Sequence, residues 1–443
     1  RGRTKEILAF TSVALVVVAL LAAYLTPLEA PTTARAQPPP EAAAEVAEAA
    51  YPTWEEIQQH WPSFRGPGAY GVAHYDTAPT DWDVEAGTNV RWNVEVSLPG
   101  FNSPVVWDKH VFLSGATESE RAVFCFDADT GALRWKGTLS PFPGTPKEPP
   151  EVMEDTGHAA PTMALDGRHA FAIFSNGDVV CYDYDGEERW GRNLGVPDNH
   201  YGHSSSLVAF DGLLFVQLDD NTNPRLVALH ADTGEEAWLA KRSEISWASP
   251  AYIHTPQGVQ LILNSETLVT AYAPADGAEL WQVKCLDGEV GPSPAYAAER
   301  IFVANEYAMA SAIKLDFSGE TTTAELAWQY DEWLPEVSSP VGTPDHFYFC
   351  TSMGDTICLD IETGEEVWLE EFDRGFYSSP ILVGERIYVA DMDGVLHILR
   401  ATDSFERIAQ HDFGERVFAT PAYLDGRIYV RTETRLLCIE KQS

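Results

Sequence analysis

The chain has little positive charge. Lys and Arg number 29 against 67 Asp and Glu, a formal net charge of -38 over 443 residues. Nucleic acids and anionic lipid surfaces are bound through basic patches, so this balance argues against both as partners. Cysteine is scarce and scattered: no two of the six are adjacent, and none forms C-x-x-C or the C-x-x-C-H of a haem site. There is no nucleophile elbow, phosphate-binding glycine loop or zinc signature. What remains is 45% apolar and 11% aromatic residues, enough for a sizeable core.

The aromatic residues carry a pattern. Trp92, Trp135, Trp190, Trp238, Trp281, Trp328 and Trp368 recur along the chain, with Ile408 in an eighth place. Each is followed by a small-Ser/Thr-Pro step or its remnant, at Pro104, Pro161, Ser206, Pro250, Pro294, Pro340, Pro380 and Pro421. One signature per unit at such a period marks a repeat architecture. Within a unit, short alternating apolar runs are separated by Asp-Gly and Asn-Gly turns such as Asp166-Gly167, Asn176-Gly177 and Asp393-Gly394. An acidic turn ending in Thr-Gly, as at Asp127–Gly131 or Asp360–Gly364, precedes the next tryptophan. Four short antiparallel strands repeated about an axis make a β-propeller. The count gives an all-β, eight-bladed propeller over residues 88–443, the Trp92 strand completing the C-terminal blade and closing the ring. Cys125, Cys181, Cys358 and Cys438 hold one repeat position, too far apart to pair, and read as buried strand residues.

The first 30 residues differ. Ile7 to Leu28 is uncharged and follows Arg1, Arg3 and Lys5. A run of that length can span a hydrocarbon core of about 30 Å, basic side inward. It is expected to form a hydrophobic helix, the only contact with a membrane, that exports the rest of the chain. Its length favours an uncleaved anchor over a signal peptide cut near Ala34-Arg35-Ala36. The body would then sit on the outer side of the inner membrane, or in the periplasm if cleaved. Residues 31–60 read as a Pro/Ala-rich linker, and 61–87 as a lead-in containing Trp61-Pro62-Ser63-Phe64-Arg65-Gly66-Pro67.

The acidic Thr-Gly turn followed by Trp, recurring in register, resembles the tryptophan-docking repeat of the pyrroloquinoline-quinone (PQQ)-type eight-bladed propellers. One branch of that family is the quinoprotein dehydrogenases; the other is BamB-like, scaffolds of outer-membrane assembly with many exported relatives. The lead-in looks like the segment that precedes such propellers in exported proteins. The resemblance implies that the recurring tryptophans are structural, each docking its blade on the next. It also implies that a dehydrogenase would show a vicinal cysteine pair over PQQ and a calcium-ligand motif; this chain lacks the first and matches no such motif. No cofactor is expected, PQQ with calcium being the disfavoured alternative.

Loops between each Trp and the following Pro position lie on one face of a propeller. The residues three before the Pro positions include Phe101, His158, His203, Trp247, Tyr377 and Phe418, an expected crescent around the channel. Aromatic faces there suit a protein side chain or a carbohydrate. The two loops of irregular length also offer Asp155, His158, Asp198, His200 and His203 as a candidate metal set. The expected function is an envelope binding or scaffolding module rather than an enzyme, with a quinoprotein oxidoreductase or a carbohydrate-binding propeller as alternatives.

Overall fold

The computed structural model describes residues 50–199 and 201–441. The apolar run Ile7 to Leu28, its cleavage site, most of the linker and His200 lie outside the described residues. Among the described residues, no helix is long and apolar enough to cross a membrane.

Eight antiparallel four-stranded sheets follow one another as blades. The sixth is representative: Val341–Gly342, His346–Cys350, Asp355–Asp360 and Glu366–Glu371, from the axis outward. The inner strands pack between neighbouring blades on both faces and so are apolar along their centres; Phe347, Tyr348, Phe349, Ile357, Cys358 and Leu359 are all fully buried. The outermost strand alternates, with Trp368 turned inward between exposed acids. In the eighth blade the outermost strand is Val90–Glu95, paired antiparallel with the last strand, Arg435–Glu440, so that Trp92 lies opposite Cys438. All six cysteines are buried and free.

The recurring tryptophans do dock on the next blade. The indole N–H of Trp92 donates to the carbonyl of Ala128 at 3.0 Å, Trp190 to Ala231 at 2.7 Å and Trp328 to Ile361 at 2.9 Å. The ring face then lies against the glycine of the acidic turn. That glycine is required twice over at Gly364: its φ is +72°, and a Cβ there would sit 2.4 Å from the Trp328 ring. Asp360 builds the same turn by accepting the backbone N–H groups of Glu362 and Thr363 and the Thr363 hydroxyl. The Thr363 N–H first, and these other donors with it, hold the Asp360 carboxyl below its ordinary range. Trp281 is the exception. The turn after the third strand of the fifth blade lacks the Thr-Gly ending, and the Trp281 N–H instead donates to Gln260 Oε1 of its own blade at 2.8 Å. Gly364→Ala should therefore cost about 1–3 kcal/mol through strain and overpacking. A urea unfolding midpoint that does not move would show that the ring yields freely.

Residues 51–83 cross the end of the propeller opposite the inter-blade loops and touch every blade. Residues 51–60, at the end of the segment read as linker, already pack on the blades: Tyr51 donates to Asp232 at 2.7 Å, and the capped helix Trp54–Ile57 buries Ile57. Trp61 exchanges backbone hydrogen bonds with Val106, Pro62 accepts from Leu165, and Val72–Ala73 adds a parallel strand to Leu382 and Val383. Tyr70 packs edge-on against Tyr296, and Trp61 against Tyr423. Arg65 is fully buried and its guanidinium donates to the carbonyls of Tyr70, Ser293, Pro294 and Pro340. Burial pushes its pKa down to about 9, so it remains charged at neutral pH.

Candidate functional site

Successive antiparallel strands reverse direction. Each inter-blade loop therefore emerges at the same end as the turn between the second and third strands of a blade. At that end the inner strands begin at residues 105, 164, 208, 251, 295, 341, 381 and 422. Two residues before each start is a hydroxyl: Ser103, Thr162, Ser206, Ser249, Ser293, Ser339, Ser379 and Thr420. They form a belt. The N–H of Ser103 donates to Thr162 Oγ1, Thr162 to Ser206 Oγ, Ser206 to Ser249, Ser249 to Ser293, Ser293 to Ser339, Ser339 to Ser379 and Ser379 to Thr420, at 2.9–3.1 Å. Every link joins one blade to the next, so the small Ser/Thr of the sequence signature ties the first blade through to the eighth around the channel.

The belt corrects the register of two units. Pro161 and Ser206 are not the counterparts of Pro104; Met163 and Leu207 are, each directly after its belt hydroxyl. The residues facing the axis are consequently Ala160 and Ser204, in place of His158 and His203.

Above the belt lies a cavity of about 700 Å³ that opens on the loop face. Phe64 of the lead-in lines it, with seven of the eight belt residues above and then Phe101, Ala160, Ser204, Trp247, Gly291, Val337, Tyr377 and Phe418. Phe101 meets Phe418 edge-on at 5.5 Å and Tyr377 meets Phe418 at 5.9 Å. Tyr201 packs edge-on against Trp247 at 5.3 Å and donates to Glu289 at 3.0 Å. Tyr307, with φ +63° and 91% exposed, stands at the mouth.

Four carboxylates face this space, Asp155, Glu289, Glu306 and Glu336, and among the described residues no Lys, Arg or His lines it. Burial, then repulsion from Glu336, raises the Glu306 pKa. Burial raises the Tyr377 phenol, followed by the charges of Glu336, Asp155 and Glu306. Burial and the bond to Glu289 push Tyr201 up to about 12. The phenols thus register one converging negative field.

The described members of the candidate metal set are dispersed. Asp155 lines the cavity, whereas His158 Nδ1 lies 3.1 Å from the Ser175 hydroxyl. The Asp198 carbonyl accepts from the N–H and side chain of Asn221, and the Asp198 side chain is exposed. His203 is buried away from the cavity, and burial lowers its pKa to about 4. Among the described residues, no three His, Cys, Asp or Glu are grouped to hold a metal ion. A neutral buried histidine has a consequence. The unfolded chain binds a proton near pH 6.5 while the folded chain does so only near 4, so stability falls as pH drops through that window. His203 should account for about 2 kcal/mol of lost stability by pH 5. His203→Leu should flatten that part of the stability–pH curve, and an unchanged slope would contradict the assignment.

The residues that the repeat pattern misses come from other segments. Glu306 and Tyr307 sit in the turn between the second and third strands of the fifth blade, where no Asn-Gly or Asp-Gly occurs. Phe64 comes from the lead-in. The lining does not suit PQQ, a quinone bearing several carboxylates: the four acids would repel it, no basic side chain among the described residues lines the cavity, and none of the buried cysteines is vicinal.

The family model described as outer membrane protein assembly factor BamB matches residues 72–208, 175–255 and 318–404, more than half of the chain. The BamB protein of Bordetella pertussis is 23% identical over 257 residues, which cover 54% of this chain and 61% of that protein. Among solved structures, BamB from Moraxella catarrhalis is similar with a TM-score of 0.58 at 13% identity, covering 79% of this chain and 99% of its own. The quinohemoprotein alcohol dehydrogenase of Comamonas testosteroni is similar with a TM-score of 0.64 at 12% identity, covering 87% and 81%. At such identities the solved structures show the shared fold alone. With the match to the family model and the in-register docking tryptophans together, the chain belongs to the BamB family of PQQ-like repeat propellers.

Proposed function

We propose that this propeller is a binding and scaffolding module of the cell envelope that holds a protein partner on its loop face. The observation that carries the reading is the cavity itself: aromatic walls, a belt of hydroxyls and a built floor. Family membership supports it, because the matched relative is named an outer membrane assembly factor. The apolar run after Arg1, Arg3 and Lys5 supports export, and its length supports anchoring at the outer side of the inner membrane. Exposed Trp333, Val337 and Met353, also at loop-face turns, extend the apolar rim. The test uses the purified protein coupled to beads and an envelope extract from its own cells. A discrete protein should be retained by the wild type and lost with Trp247→Ala and Tyr377→Ala. Equal retention by all three would remove the loop face from the reading.

A further inference from the structure

The four carboxylates at the cavity are supplied by separate elements. Asp155 comes from the loop between the first and second blades, Glu289 from that between the fourth and fifth, Glu306 from a turn within the fifth, and Glu336 from the loop between the fifth and sixth. They stand around the space, and among the described residues no three close on one point, which suits an extended organic cation better than a metal ion. The walls between them are the faces and edges of Tyr377, Phe418, Trp247 and Tyr201. Aromatic faces attract guanidinium and ammonium groups, most strongly where water is partly excluded. The rim already shows such a contact: the Arg416 guanidinium lies 4.5 Å over the Phe418 ring.

Resting on the proposed reading of the loop face, we infer that the cavity receives a basic side chain, arginine or lysine, presented by an extended segment of the partner protein. The carboxylates would meet the charged head and the aromatic walls its alkyl stem, while Tyr307 and Val337 at the mouth would cover the flanking residues. A carboxylate-bearing ligand is the wrong sign for this site, and a neutral sugar brings no charge to meet Asp155, Glu306 and Glu336.

The test is fluorescence polarisation with a labelled Gly/Ser peptide carrying one central arginine, against the same peptide with citrulline and with glutamate. The whole chain carries a net charge of -38, so a general attraction for cations must be separated from the local one. For this, Glu306→Gln with Glu336→Gln is compared with Asp345→Asn with Glu385→Gln, two exposed acids in turns at the opposite face. The arginine peptide should bind at least about tenfold more tightly than the citrulline peptide at low salt. The cavity pair should remove at least about tenfold of that affinity and the opposite pair less than about twofold. Equal binding of arginine and citrulline, or equal loss from both pairs, would overturn the inference. So would N-acetylarginine amide competing as well as the peptide, because the peptide would then add nothing. The two readings fail separately. Partner capture lost with Trp247→Ala but indifferent to arginine refutes the basic side chain alone. Arginine selectivity beside capture that ignores the cavity refutes the scaffold reading alone.

Discussion

Replacing Trp61 with alanine should lower the unfolding free energy by about 3–5 kcal/mol and the melting temperature by several degrees, the largest single effect expected here. Trp61 is fully buried, lies edge-on to Tyr423 of the eighth blade and is hydrogen-bonded through its backbone to Val106 of the first. It therefore bridges the eighth blade, in which the ring is closed, and the first. Its ring also packs on Gly66, where an added Cβ would sit 2.7 Å away, so the cavity left by alanine loosens the turn that carries Arg65. Arg65→Lys should act in the same direction. One ammonium cannot reach the carbonyls of Tyr70, Pro294 and Pro340 together, as the guanidinium fork does. Lysine keeps the buried charge, so no relief of desolvation offsets the lost geometry. Thermal unfolding followed by near-UV circular dichroism checks both; a Trp61→Ala protein as stable as the wild type would show that the lead-in is not part of the folded unit.

The second large effect is on binding. Trp247→Ala and Tyr377→Ala should each weaken partner capture by about 30-fold or more, the size of an interface hot spot, while stability moves by less than about 1 kcal/mol. Both side chains are half-buried and flank the cavity rather than filling a core. Trp247 is the stiffer anchor, since its indole N–H donates to Asn199 Oδ1 and Tyr201 packs on its ring. Titration of captured partner against variant concentration, with unfolding measured in parallel, separates the two quantities. Collapse of stability with little change in capture would make these residues packing plugs for the channel.

The architecture was legible because its determinants are periodic. The docking tryptophans, the Asp-x-Thr-Gly turns and the Ser/Thr before proline each answer a local demand that recurs in every blade. Phe101, Trp247, Tyr377 and Phe418 could be placed on the cavity from that period. His158 and His203 could not. In those two units the inner strand starts without a preceding Ser-Pro step, and Pro161 lies three residues before the strand at Ala164 instead of one. The error of one or two residues moves a side chain from the axis into the wall, which is why Ala160 and Ser204 face the cavity. Glu306, Tyr307 and Phe64 were out of reach for another reason: their position depends on a non-repeated turn and on a segment that closes the channel from the far end. Tertiary placement of that kind leaves no periodic trace.

The central claim is that the loop face, and not the opposite end, holds the partner. Photo-crosslinking in intact cells tests it most directly, with the reactive residue placed at Tyr307 or Trp333 on the loop face and at Glu385 on the opposite one. The account expects discrete adducts from Tyr307 and Trp333 whose crosslinked partner peptide contains a lysine or arginine, abolished by Trp247→Ala. Adducts arising at Glu385 and absent from the loop-face positions would contradict it.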